Sequence, residues 1–159
     1  MEEHTNKKLA IKARNIFEDI LIKAEYRNDK LYIGRSLRNI GNTYWEFDKH
    51  KANDYYLRAY KISKVINDNI GTIKSISNSG NYYSSIGEYA KALSYYKSAL
   101  KISEEVENKD EIYWQKLKIS NNYTQSGDYV SALKVANHMM KILSTGEDLK
   151  LKKVWCLEY

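Results

Sequence analysis

The sequence predicts an all-α, right-handed superhelical solenoid of antiparallel helix-turn-helix hairpins. Three observations predict it. First, three segments of the 159-residue chain align at fixed spacing: Gly41 to Gly80 and Tyr44 to Tyr83 are 39 apart, and Tyr83 to Tyr123, Gly87 to Gly127 and Ala92 to Ala132 are 40 apart. A fixed period of this size is the signature of stacked repeats. Second, Ala92, Tyr96, Ala99 and Ile102 step by 4, 3 and 3, and Leu37, Ile40 and Tyr44 by 3 and 4. Each is a stripe along one face of a helix. Third, proline is absent and glycine numbers only 7, which is poor material for a loop-rich β fold.

The elements follow in order within a single domain, 1–159. Residues 5–27 read as the second helix of an incomplete repeat, because Ala13, Phe17 and Ile20 fall 39 before Ala52, Tyr56 and Ala59. Complete repeats span 30–67, 69–107 and 109–144, and residues 147–159 read as the first helix of a further incomplete repeat. In the second and third repeats Gly87 and Gly127 stop one helix, and Glu88 and Asp128 suit the start of the next. The first repeat is one residue shorter in this turn, since Ala52 to Ala92 is 40 where Gly41 to Gly80 is 39. Small residues Gly41, Gly80 and Ser120 are expected to face Ala52, Ala92 and Ala132, with Tyr44, Tyr83 and Tyr123 filling the space beside them. Of the pairs Tyr55–Tyr56 and Tyr95–Tyr96, one member is expected in the hairpin core and the other against the next repeat. Met139 and Met140 read as core. A half-repeat at each end leaves an apolar stripe without the polar cap that solenoids need. The expectation is a piece cut from a longer protein; the alternative is that the end helices cap the array or pair with those of another copy.

Composition narrows the function classes. Apolar residues are 43 % and charged residues 29 %, the make-up of a folded chain rather than a disordered tail. No apolar run reaches the length of a membrane span. No signal-type start is visible, which favours the cytoplasm. The net charge of +6 permits an acidic partner, but the basic residues are spread along the chain and do not indicate nucleic acid. Lysine, asparagine, isoleucine and tyrosine are abundant, as AT-rich codon usage produces. A single cysteine, Cys156, excludes an internal disulfide and a cysteine zinc site, and reads as a small hydrophobe. His4, His50 and His138 have no partner at metal-ligand spacing, and His50 reads as a polar turn residue. No phosphate loop and no nucleophile–base arrangement is present. The expectation is no enzyme, no metal and no cofactor.

The small residue before a tyrosine in one helix, and Ala-aromatic-Ala at steps of four and three in the next, resemble the tetratricopeptide repeat family. The second repeat, from Gly80-Asn81-Tyr82-Tyr83 through Ala99, carries the resemblance best. The common Trp early in the first helix is replaced by Leu37 and Ile76, and the common Pro after the second helix is absent. The period exceeds the usual ~34 residues and is similar to the subclass in bacterial signalling proteins, peptide-pheromone receptors and kinesin light chains. The extra residues are expected to lengthen the second helix and the loop over 104–110.

The resemblance implies that the first helix of each hairpin lines a concave groove. The candidate peptide-binding residues on those helices are Arg35, Arg38, Asn39 and Asn42; then Lys74, Asn78 and Asn81; then Trp114, Lys118 and Asn121. Asn42, Asn81 and Asn121 are equivalent. A side-chain amide carries both donor and acceptor, so a ladder of them can hold the backbone of an extended peptide, as asparagines do in peptide-binding members of the family. The basic residues suit an acidic segment or a free C-terminal carboxylate. Arg38, Asn42, Asn81 and Lys118 loosely match four places of the carboxylate clamp of heat-shock co-chaperones, with Trp114 where a further basic residue belongs. The implied function is a non-catalytic protein- or peptide-binding scaffold, the sensory or interaction part of a larger signalling protein. The alternatives are a peptide-pheromone-type receptor that regulates a transcription factor or phosphatase, and an architectural module that self-associates through its end helices.

Overall fold

The computed structural model describes residues 2–144. Over those residues it is all helix: α1 (Glu2–Tyr26), α2 (Lys30–Tyr44), α3 (Lys49–Val65), α4 (Asn69–Ser85), α5 (Tyr89–Glu105), α6 (Lys109–Gln125) and α7 (Tyr129–Ser144). Each helix packs chiefly on its neighbours in the chain, and α2 touches α4, and α4 touches α6, more lightly. The chain is thus a solenoid of hairpins α2–α3, α4–α5 and α6–α7, with α1 laid on α2. The expected helix over 147–159, with Trp155 and Cys156, lies outside the described residues.

The long period has a different origin from the one expected. Helices α4, α5 and α6 have 17 residues each, and the turns between them are three residues long. The extra length therefore falls on both helices of the hairpin and not on a loop over 104–110: Glu104 and Glu105 close α5, and Lys109 and Asp110 open α6. A helix one turn longer adds one layer of side chains to every interface.

The turns obey one rule with one exception. At five of the six, a residue in the left-handed region ends the helix: Asn28 (φ 52), Asn67 (φ 55), Gly87 (φ 81), Glu107 (φ 52) and Gly127 (φ 82). The next N–H then reaches back five residues, as from Glu88 to Tyr83 O at 2.9 Å and from Asp128 to Tyr123 O at 2.9 Å. This satisfies carbonyls that the helix end leaves open. The exception is the turn over 45–48, four residues long after an α2 of only 15 residues, where Asp48 N donates to Tyr44 O at 2.7 Å, only four residues back. An Asp or Asn caps the start of the next helix in five cases. Asp29, Asp48, Asp68, Asn108 and Asp128 each accept from a backbone N–H three residues on. Glu88 makes no such bond.

The core adds tyrosine rings to the expected pairing of small residues. A Cβ on Gly41 would lie 2.6 Å from Cε1 of Tyr56, and one on Gly80 2.6 Å from Cε1 of Tyr96. The glycines are thus pressed against tyrosine rings, with Ala52 O next at 3.1 Å from the Gly41 position. Tyr56 and Tyr96 are buried in their hairpins. Their neighbours Tyr55 and Tyr95 are half-buried. Tyr55 stacks on Tyr44 (5.6 Å) and Tyr95 on Tyr83 (5.2 Å), within the same hairpin. Lysines lie over the outer faces of these stacks, Lys51 over Tyr44 and Lys91 over Tyr83. In the third hairpin Ala136 stands where the others have Tyr56 and Tyr96, and Ser120 stands in place of the glycine. The Ser120 hydroxyl fills the vacated volume and donates to Ala132 O at 3.2 Å. Met139 is buried, but Met140 is 67 % exposed, because the next step around α7 turns it outward.

Candidate functional site

The helices α2, α4 and α6 form one wall, and polar side chains lace it together. Asn78 Nδ2 donates to Asn42 Oδ1 at 3.3 Å. Lys118 Nζ donates to Ser77 Oγ at 2.7 Å, Ser77 Oγ to Gln115 Oε1 at 2.9 Å, and Gln115 Nε2 to Glu111 Oε2 at 3.3 Å. Further along the wall, Ser84 Oγ donates to Gln125 Oε1 at 2.7 Å. These bonds set the register between neighbouring repeats, so the side chains beside them are held rather than swinging in solvent.

Two of the three equivalent asparagines are held by the core. The Tyr56 hydroxyl donates to Asn42 Oδ1 at 3.0 Å, and the Tyr96 hydroxyl to Asn81 Oδ1 at 2.9 Å. Each amide oxygen is therefore engaged, and each amide is fixed with its NH2 group as the remaining donor. Asn121 has no tyrosine beneath it, since Ala136 occupies that place, and it is exposed. The ladder thus offers two oriented donors and one complete amide, where three complete amides were expected.

The basic residues divide as well. Burial pulls the Lys118 ammonium below its ordinary range, with Glu111 acting in the opposite direction. Burial likewise lowers Arg38, against the opposing pull of Asp68 and Glu111. Arg38 Nη1 is a buried donor with no partner among the described residues. Arg35 and Lys74 are exposed, Arg35 lying over the Tyr32 ring at 5.7 Å. Asn39 is half-buried.

Three of the expected residues converge on one pocket. Asn81, Lys118 and Asn121 line a concavity of about 260 Å³ between α4 and α6, with Trp45 as its aromatic wall and Ser84 and Gln125 on its rim. Arg35, Lys74 and Trp114 stand outside it. Trp114 is 46 % exposed and meets Tyr113 edge-on at 5.6 Å. The sequence reading missed Gln115, Glu111 and Gln125. Gln115 had a readable signal: it is equivalent to Ser36 and Ser75, and all three are buried polar residues. His50 is also more than a turn residue, because its Nδ1 lies 2.6 Å from the Tyr82 hydroxyl across the first interface between hairpins.

Among the described residues, no cluster of His, Cys, Asp and Glu could hold a metal ion. None of the described helices is long and apolar enough to cross a membrane.

Comparison with known proteins agrees with the geometry. Residues 72–110 match the tetratricopeptide repeat family model. The fold is similar to that of the crystal structure of the TPR domain of Arabidopsis FLU, at 23 % sequence identity and a TM-score of 0.66, covering 73 % of this chain and 98 % of that one. At that identity the likeness is one of fold. No curated protein sequence matches the chain. Residues 72–110 thus carry a tetratricopeptide repeat at the centre of a hairpin solenoid, a repeat that generally serves in non-catalytic interaction scaffolds.

Proposed function

We propose that the chain binds an extended segment of a partner protein along the wall of α2, α4 and α6, as the interaction or sensory part of a larger signalling protein. The observation that carries this reading is the pocket in which Asn81, Lys118 and Asn121 meet beside Trp45. A fixed amide donor, a cation, a complete amide and an aromatic face suit a peptide backbone with an acidic side chain or carboxylate. Lys118 is half-buried and its ammonium already donates to Ser77, so a ligand oxygen finds a charge that is positioned beforehand.

The test is capture of peptides from a random library that includes free C-termini, by the native chain, an N121A variant and a W45A variant. Asn121 is the informative asparagine, because its removal strands no tyrosine hydroxyl. The expected result is acidic peptides enriched by the native chain and lost in both variants, with helicity unchanged by circular dichroism. Equal enrichment by all three sinks the reading.

A second reading, self-association through an end helix, is favoured by one observation. The outer side of α1 exposes Leu9 (57 %) and Ile16 (59 %), with Ile20 beside them, an apolar stripe at helical spacing. Light scattering across a hundredfold range of concentration tests it, and a constant monomer mass overturns it.

A further inference from the structure

A concavity larger than the groove pocket lies elsewhere on the molecule. It measures about 440 Å³ and lies between α3 and α5 over the first half of α4. Thr72 and Ile76 form its floor, and these residues lie on the side of α4 opposite the one carrying Asn78 and Asn81. The size falls within the ~300–1,000 Å³ of small-ligand and side-chain sites.

The pocket exists because the second repeat interface breaks the pattern of the other two. Thr72 is equivalent to Ile33 and Ile112, and Ser98 to Arg58 and His138. Larger residues at the equivalent positions of the other repeats are thus replaced here by two small hydroxyl residues. The helices keep their spacing, because Ile73, Ile76 and Ala99 pack as a closed core beneath, so the missing volume stays open as a pocket. Tyr60 and Tyr95 wall it, both packed on that same core.

We infer that this pocket is a second binding site, which takes an aromatic side chain with a polar edge, tryptophan or tyrosine, from an exposed segment of a partner protein. The lining matches that chemistry in both parts. Ile76, Ile102 and the two tyrosine rings offer an apolar and aromatic interior, on which a further ring stacks favourably. Thr72 and Ser98 supply hydroxyls, and Asn67 and Asn69 amides, to meet an indole N–H or a phenol O–H. A purely aliphatic side chain would leave those groups without a partner. The site faces away from the groove, so its existence does not depend on the groove reading.

The test is an amide-resolved NMR titration of the full chain with N-acetyltryptophanamide, N-acetyl-leucinamide and free indole. The expected result is saturable shifts at Thr72, Ser98 and Asn67 with the capped tryptophan, at a Kd on the order of 1 mM, and none with the capped leucine. The variants T72I and S98H place into the pocket side chains that the chain itself uses at its other interfaces. Each should weaken binding at least tenfold with the melting temperature held or raised. S98H alters an exposed residue, so it reports on the pocket even where T72I disturbs packing. Three outcomes overturn the proposal: no saturable shifts, shifts that persist in S98H, or indole binding without binding of the capped residue.

Discussion

The second and third hairpins are built to the same 40-residue plan and closed in opposite ways. In α4–α5 a glycine admits a tyrosine ring, and the ring's hydroxyl fixes the asparagine one residue further on. In α6–α7 the glycine has become Ser120, the tyrosine Ala136, and Asn121 stands clear. Two residues change together, and the asparagine, the same in both hairpins, loses its tyrosine partner. A glycine in mid-helix is a cost by propensity alone, and here its value lies in the ring it accommodates. Where no ring arrives, a larger residue is tolerated and the asparagine is released. The second hairpin uses its asparagine oxygen for rigidity, while the third leaves its asparagine exposed.

Substitutions can break this comparison. The largest effect is expected at Tyr96, where Y96A should cost about 3–5 kcal/mol in urea unfolding, as for other buried aromatics. The third hairpin already carries alanine at the equivalent position. Next, G80A should cost about 1–3 kcal/mol, because its Cβ would fall 2.6 Å from the Tyr96 ring. In a Y96A background the same substitution should turn stabilising, by up to about 1 kcal/mol of helix propensity. A cost that survives removal of the ring would show that the glycine serves something else.

The two starts of the second helix sharpen the contrast. D128A should cost about 0.5–2 kcal/mol, since Asp128 accepts from Ser131 N at 3.1 Å. E88A should be near neutral, because Glu88 makes no side-chain cap bond. Equal losses in thermal melts would contradict the cap assignment.

Alkaline titration separates the hairpins by chemistry. Burial pushes the hydroxyls of Tyr56 and Tyr96 up from 10.0 to about 12. The unfolded chain therefore releases these protons first. Their contribution to stability is complete below pH 10 and is lost as pH rises toward 12. Circular dichroism along that range should show unfolding begin in the first two hairpins, and the double variant Y56F/Y96F should flatten the alkaline loss.

Much of this was legible in the sequence, and the rest fails for definite reasons. The period, the helix stops at Gly87 and Gly127 and the buried stripe through Ala92, Tyr96 and Ala99 follow from spacing, because a helix turns every 3.6 residues whatever surrounds it. That arithmetic says which face a residue occupies, but not which ring crosses to meet it. Gly80 was thus matched to the facing helix without the Tyr96 ring that leans over it. The loss of the Asn42 and Asn81 oxygens to tyrosine hydroxyls was hidden for the same reason. The pocket with Trp45 was only half visible, since Gln125 enters it from the end of α6, where the groove stripe was no longer followed. Similarly, one tyrosine of each pair was expected against the next repeat, because residues one step apart on a helix point to different sides, whereas Tyr95 stacks within its hairpin. Its partner, Tyr83, lies on its own hairpin.

The mainly sequential packing has a consequence for how the protein is made. Each described helix finds its main partner in a helix next to it along the chain. Among the described residues no helix depends chiefly on a distant one. A hairpin can therefore close as soon as its second helix has left the ribosome, and each later hairpin docks on a surface already formed. Synthesis and folding can then advance at the same pace, one hairpin at a time.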